Sequence, residues 1–171
     1  MIRDLEIQRL INYAKGLGLT VTFKPKMDIA AAWYLDNTGI LINRDANTTK
    51  IETVLSLIHE LGHCKHNIWE KDRKSDPKWE GAVDHIDKAE EDETDTQKKQ
   101  RKIVLDNEIA GTRYWHEVYT ETNMSFPIWR LEAAMQYDIW HYEVFYETGS
   151  YPNHKERVRK FKEIQKKHRD K

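Results

Sequence analysis

The sequence predicts an α+β protein, with a small antiparallel or mixed sheet near the N-terminus followed by three or four helices. Apolar and polar residues alternate over 19–23, as in a strand, whereas apolar residues in 50–69 recur every three or four positions, as in an amphipathic helix. The 171 residues fit one domain better than two. Although 33% of the residues are charged, six Trp, eight Tyr and four Phe provide apolar area for a core.

The N-terminal part is predicted to contain one helix and three strands. The helix covers residues 2–15 and is broken by Gly16-Leu-Gly18. The strands are expected at 19–23, 29–35 and 40–42. A turn sequence, Asp36-Asn-Thr-Gly39, separates the second strand from the third, so these two strands are predicted to form a hairpin.

Three longer helices are predicted after this sheet. Asn47-Thr-Thr49 offers N-cap residues for the helix over 50–69. A second helix is predicted over 103–119. A third begins near Ser125-Phe-Pro127, where proline suits a first turn, and ends at Gly149.

The segment 71–102 differs from its surroundings in composition. It holds ten acidic and nine basic residues, which indicates an exposed, mobile insertion with short helical pieces. The predicted organisation is one domain over 1–124 that carries this insertion, and a C-terminal helical extension over 125–171 packed on the same domain.

The charges of the chain almost cancel, since 28 Lys and Arg face 29 Asp and Glu. Residues 155–171 are an exception, with nine basic and three acidic side chains. The balance is not that of a nucleic-acid-binding protein as a whole, and the basic tail is interpreted as a solvated helix end. A weak contact of this tail with nucleic acid is the alternative.

The same composition predicts a cytoplasmic protein without a membrane partner. No stretch is long and apolar enough for a transmembrane helix, and the first residues lack the apolar core of a secretion signal. A single cysteine, Cys64, excludes an internal disulfide framework and suits a reducing compartment. It is interpreted as a small core residue.

One motif carries chemistry: His59-Glu60-Leu61-Gly62-His63. On a helix, residues four apart lie one above the other, so His59 and His63 can present two imidazoles to one zinc ion. Glu60 then lies beside the ion, where it can accept a proton from a water molecule. The predicted helix over 50–69 supplies the context that this motif needs.

Zinc in a catalytic site takes a third protein ligand and keeps one position open. A metzincin would have a histidine ten residues after His59, but Trp69 stands there, so that class is excluded. Three residues compete for the third position: Glu108 is preferred, Glu80 comes second and His85 third.

Glu108 is preferred because its helical neighbours form an apolar stripe. A carboxylate in such a stripe is costly unless it is paired, and a metal ion is a natural partner. The alternative is an ordinary ion pair with Arg113 or Lys102 near the surface. Glu80 has acidic helical neighbours, which indicates a solvated face. The stripe consists of Val104, Gly111, Trp115 and Val118.

These residues resemble those of the ImmA/IrrE-type zinc metallopeptidases of phages and bacteria. The resemblance covers about residues 1–69 and 103–120, and rests on Gly39-Ile-Leu-Ile-Asn43, on Ile58-His-Glu-Leu-Gly-His-Cys-Lys-His66 and on Glu108-Ile-Ala-Gly111. It implies a zincin-like helical core, zinc held by two histidines and one glutamate as in gluzincins, and cleavage of a DNA-binding repressor protein.

The predicted activity is hydrolysis of a peptide bond, with zinc on His59, His63 and Glu108 and with Glu60 as the general base. The strand 40–42 is expected at the edge of the sheet, where it can pair with an extended substrate. Tyr114, His116 and Tyr34 are candidates for a second oxyanion donor. The alternative function is a zinc-stabilised protein-binding or nucleic-acid-binding accessory protein, the latter using 155–171.

Overall fold

The computed structural model describes residues 4–27, 31–33, 38–69 and 95–171. Its elements confirm the α+β class, and helices dominate. In chain order they are α1 (Asp4–Gly16), β1 (Thr20–Lys24), β2 (Ala31–Trp33), β3 (Gly39–Asn43), α2 (Lys50–Trp69), α3 (Asp95–Thr112), α4 (Trp115–Glu121), α5 (Ile128–Thr148) and α6 (His154–Arg169).

The sheet is mixed, with strand order β1-β3-β2. The predicted hairpin is confirmed as an antiparallel pair in which Ala31 lies opposite Ile42, although residues 34–37 of its turn lie outside the described residues. β1 instead runs parallel to β3, with Thr20 opposite Gly39, so a wholly antiparallel sheet is wrong.

β3 is the central strand, and the prediction that 40–42 forms a sheet edge is therefore wrong. The alternate residues Ile40 and Ile42 are fully buried, and Leu41, which faces the other side, is half-buried. A strand that is covered on both faces has a continuous apolar sequence, as Ile40-Leu-Ile42 does, and such strands lie in the middle of a sheet.

The long helices begin and end close to their predicted limits. α2 has the predicted bounds. α5 ends at Thr148, and the next residue, Gly149, has a φ of +71°, which favours glycine. The helix predicted over 103–119 is wrong in extent, because α3 begins at Asp95 and a break at residues 113–114 starts α4. In the described part of the chain five helices thus follow the sheet, rather than three or four.

The basic tail forms a helix of its own, α6. The Asn153 side chain accepts a hydrogen bond from the backbone of Glu156, and the Glu156 side chain accepts one from the backbone of Asn153. This reciprocal capping box defines the start of α6. Ile164 is buried, and the ring of Phe161 lies 5.1 Å from the ring of Tyr137 on α5.

α1 is held in place by the buried carboxylate of Glu6, although the apolar pattern of the sequence points to the neighbouring Leu5. The spacing of apolar residues in 2–15 predicts that Leu5 lies on the buried face of this helix. Leu5 is instead 51% exposed, whereas Glu6 is 2% exposed. The Glu6 carboxylate accepts hydrogen bonds from the backbone N–H and the hydroxyl of Ser125, each at 2.8 Å. These bonds compensate for the burial of a charge, which a periodicity of apolar residues does not reveal.

The described chain forms two compact units. One contains the residues up to Trp69 together with Gly111–Pro127, and the other contains Asp95 to Ala110 together with Ile128–Lys171. Whether 1–124 is one domain that carries 125–171 stays a prediction. None of the helices that the structure describes is long and apolar enough to cross a membrane.

A charge cluster joins α1, α2 and α4 in the first unit. The Lys65 side chain is 3% exposed, and its Nζ lies 2.7 Å from Oε1 of Glu117 and 2.9 Å from Oε2 of Glu121. Tyr13 donates a further hydrogen bond to Glu121. These contacts compensate for the burial of the Lys65 ammonium group two residues after His63.

This cluster predicts a pH dependence of stability. The hydrogen bonds from Tyr13 and Lys65 hold the pKa of Glu121 below its usual value of 4.5. A carboxyl with a lower pKa in the folded state stabilises that state at pH values above its unfolded pKa, and this contribution is lost as pH falls through the folded pKa. We expect the thermal unfolding midpoint to fall below about pH 4.5, and to fall less in Glu121→Gln.

Circular dichroism melts between about pH 3 and pH 7 measure this difference. Glu147→Gln, an exposed residue on α5, is the matched control and should keep the wild-type pH profile. If Glu121→Gln also keeps that profile, the cluster does not contribute to acid sensitivity.

Candidate metal centre

α2 holds the motif in a well-defined position. At its start, the Glu52 carboxylate accepts a hydrogen bond from the Thr49 backbone at 2.8 Å, and the Glu52 backbone donates to the Thr49 hydroxyl at 3.3 Å. This is a capping box, which fixes where the helix begins. The core face of the helix has no exposed area and comprises Val54, Leu57, Ile58, Leu61 and Cys64.

The two histidines of the motif lie one above the other on this helix, as expected. Nε2 of His59 and Nε2 of His63 lie 3.1 Å apart, and the two ring centroids are 4.7 Å apart. Glu108, from α3, completes a cluster in which one ligand atom of each residue lies within 4.8 Å of the others. Among the described residues, His59, His63 and Glu108 are the one cluster of three or more His, Cys, Asp or Glu side chains that could hold a metal ion.

The donor set fits zinc. Two imidazoles and one carboxylate are ligands that zinc uses in catalytic sites. Ligand atoms that surround zinc as a tetrahedron, each about 2.0–2.1 Å from the ion, lie about 3.3 Å from one another. The separation of the two Nε2 atoms is close to that value, and the carboxylate of Glu108 lies within 4.8 Å of a ring nitrogen of each histidine. Three protein ligands leave one tetrahedral position for water or substrate.

Glu60 lies beside the cluster rather than in it. Its Oε1 is 3.8 Å from Nε2 of His59, and the residue is only 6% exposed. The carboxylate is thus held close to the donor atoms of the histidines without replacing one of them. This is the position that a general base next to a metal requires.

Glycines allow the close approach that the cluster needs. A Cβ added at Gly111 would lie 2.7 Å from Nδ1 of His63, and one added at Gly62 would lie 2.6 Å from the carbonyl oxygen of Gly111. Real Cβ contacts are essentially never this short. Gly111 therefore belongs to the site although it offers no side chain, and Glu108 lies one turn before it on α3.

The burial of Glu108 does not fit the alternative of an ordinary ion pair near the surface. Glu108 is 5% exposed, Lys102 pairs with Asp106 instead, and Arg113 is exposed. The stripe predicted around Glu108 is buried as well, since Val104, Trp115 and Val118 are at most 3% exposed. The break before α4, however, places the last two of these on a separate helix.

The structure places the other candidates as follows. Glu80, His85 and Tyr34 lie outside the described residues. His116 is exposed, and Tyr114 is half-buried with its ring tilted against His66 at 6.1 Å. Cys64 is buried, and burial raises the pKa of its thiol, as expected of a core residue.

The sequence placed Trp115 in the stripe beside Glu108 but did not predict its contact with His59. Its ring meets the His59 ring edge-on, with centroids 5.4 Å apart, and its buried Nε1 has no hydrogen-bond partner. The residue is 3% exposed, and its position four residues after Gly111 was the available signal. Its ring packs against His59 and so limits how that imidazole can rotate.

Comparison with known proteins gives no match: no family model, no curated protein and no solved structure corresponds to this chain.

Proposed function

We propose that this protein is a zinc-dependent metalloendopeptidase that hydrolyses a peptide bond in a specific intracellular protein. The observation that carries the proposal is the convergence of His59, His63 and Glu108 on one point, with the buried Glu60 beside it. Both histidines and Glu60 come from the His-Glu-x-x-His pattern, whose chemistry is metal-assisted hydrolysis.

Zinc bound to this donor set would polarise a carbonyl group and lower the pKa of a bound water to about 7. Glu60 would accept the proton of the attacking water and then donate it to the leaving amine. His59 and His63 would present their Nε2 atoms to the ion. Trp115 packs against the ring of His59, and the lack of a side chain at Gly111 leaves room for the ring of His63.

The substrate class follows from the resemblance to the ImmA/IrrE-type peptidases. We propose a DNA-binding transcriptional repressor as the first protein to test, and the cytoplasm as the compartment. The proposed partners include no membrane.

Metal analysis combined with a cleavage assay tests this proposal. We expect about one zinc per chain in the purified wild-type protein, and cleavage of some members of a proteome-derived peptide library, detected by mass spectrometry. In Glu108→Ala the zinc content should fall below about a tenth, because two histidines alone bind weakly. Asp106→Ala is the matched control, an exposed carboxylate on the same helix, and should keep its zinc.

Each alternative gives a different outcome. Unchanged zinc in Glu108→Ala would mean that Glu80 or His85 is the third ligand, which Glu80→Ala and His85→Ala would then distinguish. Full zinc occupancy without cleavage, together with unfolding by a chelator, would support the zinc-stabilised binding protein instead. A wild-type protein without zinc would refute both.

A further inference from the structure

Four of the eight Lys and Arg residues of α6 lie together on one side of the helix. At 100° per residue, Lys155, Arg159, Lys162 and Lys166 fall within an arc of about 60°. All four are exposed. Ile164, which is buried, lies on the opposite side of the helix. We call these four residues the α6 cation stripe.

The stripe is not neutralised by the protein. The ion pairs that α6 makes in the described structure involve other cations, Lys160 with Glu163 and Arg169 with its neighbour Asp170, and His168 lies near Glu132 on α5. Within the described residues, none of the four side chains of the stripe forms a hydrogen bond or an ion pair. Four positive charges therefore face solvent in a row.

We propose that the α6 cation stripe binds the phosphate backbone of double-stranded DNA without sequence preference, a property that goes beyond the proposed peptidase activity. From Lys155 to Lys166 the helix rises about 17 Å. One strand of duplex DNA carries about five phosphates over that length, at 3.4 Å each. Duplex DNA is also the partner with the highest line density of negative charge, one per about 1.7 Å.

The structure favours duplex DNA over two other anionic partners. A helix that binds a membrane surface inserts an apolar face, but the apolar residues Phe161 and Ile164 pack within the fold. Among the large hydrophobic residues of α6, only Val158 is notably exposed, at 39%. Binding of single strands relies on exposed aromatic rings that stack on bases, and the one aromatic ring of α6, Phe161, packs against Tyr137.

Fluorescence anisotropy with a labelled random-sequence duplex tests the proposal on the full-length protein. If the stripe contacts four phosphates, the slope of log affinity against log salt is about −3.6, and affinity falls about 150-fold between 50 and 200 mM salt. In the variant K155Q/R159Q/K162Q/K166Q the affinity at 50 mM salt should fall at least about tenfold and the slope should approach zero. Glutamine forms helices as readily as lysine or arginine, so α6 should persist, and circular dichroism checks this.

A control variant separates the stripe from net charge. K15Q/K24Q/K99Q/R113Q also replaces three lysines and one arginine, but at exposed positions outside α6. This variant should bind duplex DNA within about threefold of wild type. Equal loss in both variants would overturn the proposal, because net charge alone would then explain binding. So would absence of duplex binding at 50 mM salt, or tighter binding to single-stranded RNA or to phosphatidylserine vesicles.

Discussion

Replacement of Glu60 by glutamine is expected to leave the zinc content unchanged and to lower the rate of peptide hydrolysis by about 10²- to 10⁴-fold. The amide has nearly the shape of the carboxylate but cannot accept a proton, so only the transfer step is lost. The residue is buried next to His59, with Oε1 3.8 Å from Nε2, and it is not one of the three clustered ligand residues. Zinc analysis and kcat/KM on a cleaved peptide measure the two effects separately.

Glu52→Gln is the matched control for this variant. Glu52 lies on the same helix, two turns earlier, and its role is to accept a hydrogen bond in the capping box, which glutamine can also do. Its rate should equal that of wild type. Hydrolysis by Glu60→Gln at the wild-type rate would reject Glu60 as the base, and loss of zinc from it would make Glu60 a ligand instead.

A second large effect is expected from Gly111→Ala. The new methyl group would lie 2.7 Å from Nδ1 and 2.8 Å from Cε1 of His63, so the imidazole must move away from its present position. Displacement of a group that orients a metal ligand typically lowers metal affinity by about 10- to 100-fold, and overpacking costs about 1–3 kcal/mol of stability. Titration with zinc against a competing chelator, and thermal melts of the metal-free protein, measure these two effects.

Gly16→Ala provides the comparison, because a Cβ at Gly16 would have no heavy atom within 4 Å. This variant should bind zinc as wild type does. Cobalt substitution adds a spectroscopic measurement, since a displaced His63 would alter the absorption of the bound cobalt ion in Gly111→Ala. Wild-type zinc affinity and an unchanged cobalt spectrum in Gly111→Ala would show that His63 is not a ligand.

Local patterns predicted the parts of the site that belong to single helices. The bounds of α2 follow from the periodicity of its apolar residues, and the position of His59 next to His63 on one face of the helix follows from the spacing of the motif. Glu108 was preferred because of its apolar neighbours, and it is indeed buried. All of these features depend on residues that are near one another in the sequence.

The features that sequence reasoning missed depend on distant contacts or on charged helical segments. The parallel pairing of β1 with β3 and the central position of β3 are decided by packing between segments, which no local pattern encodes. α3 begins at Asp95, inside the segment whose composition indicated an exposed insertion, because residues 97–102 are all Lys, Arg or Gln, which form helices readily. The contact of Trp115 with His59 joins two helices and was likewise not visible.

The strand order also limits how a peptide could join the sheet. With β3 in the middle, only the outer sides of β1 and β2 remain for pairing with an added chain. β2, which packs against α2, has three residues and offers about 10 Å of backbone. β1, with five residues, offers the longer outer side, so an added peptide would form more main-chain hydrogen bonds at β1 than at β2.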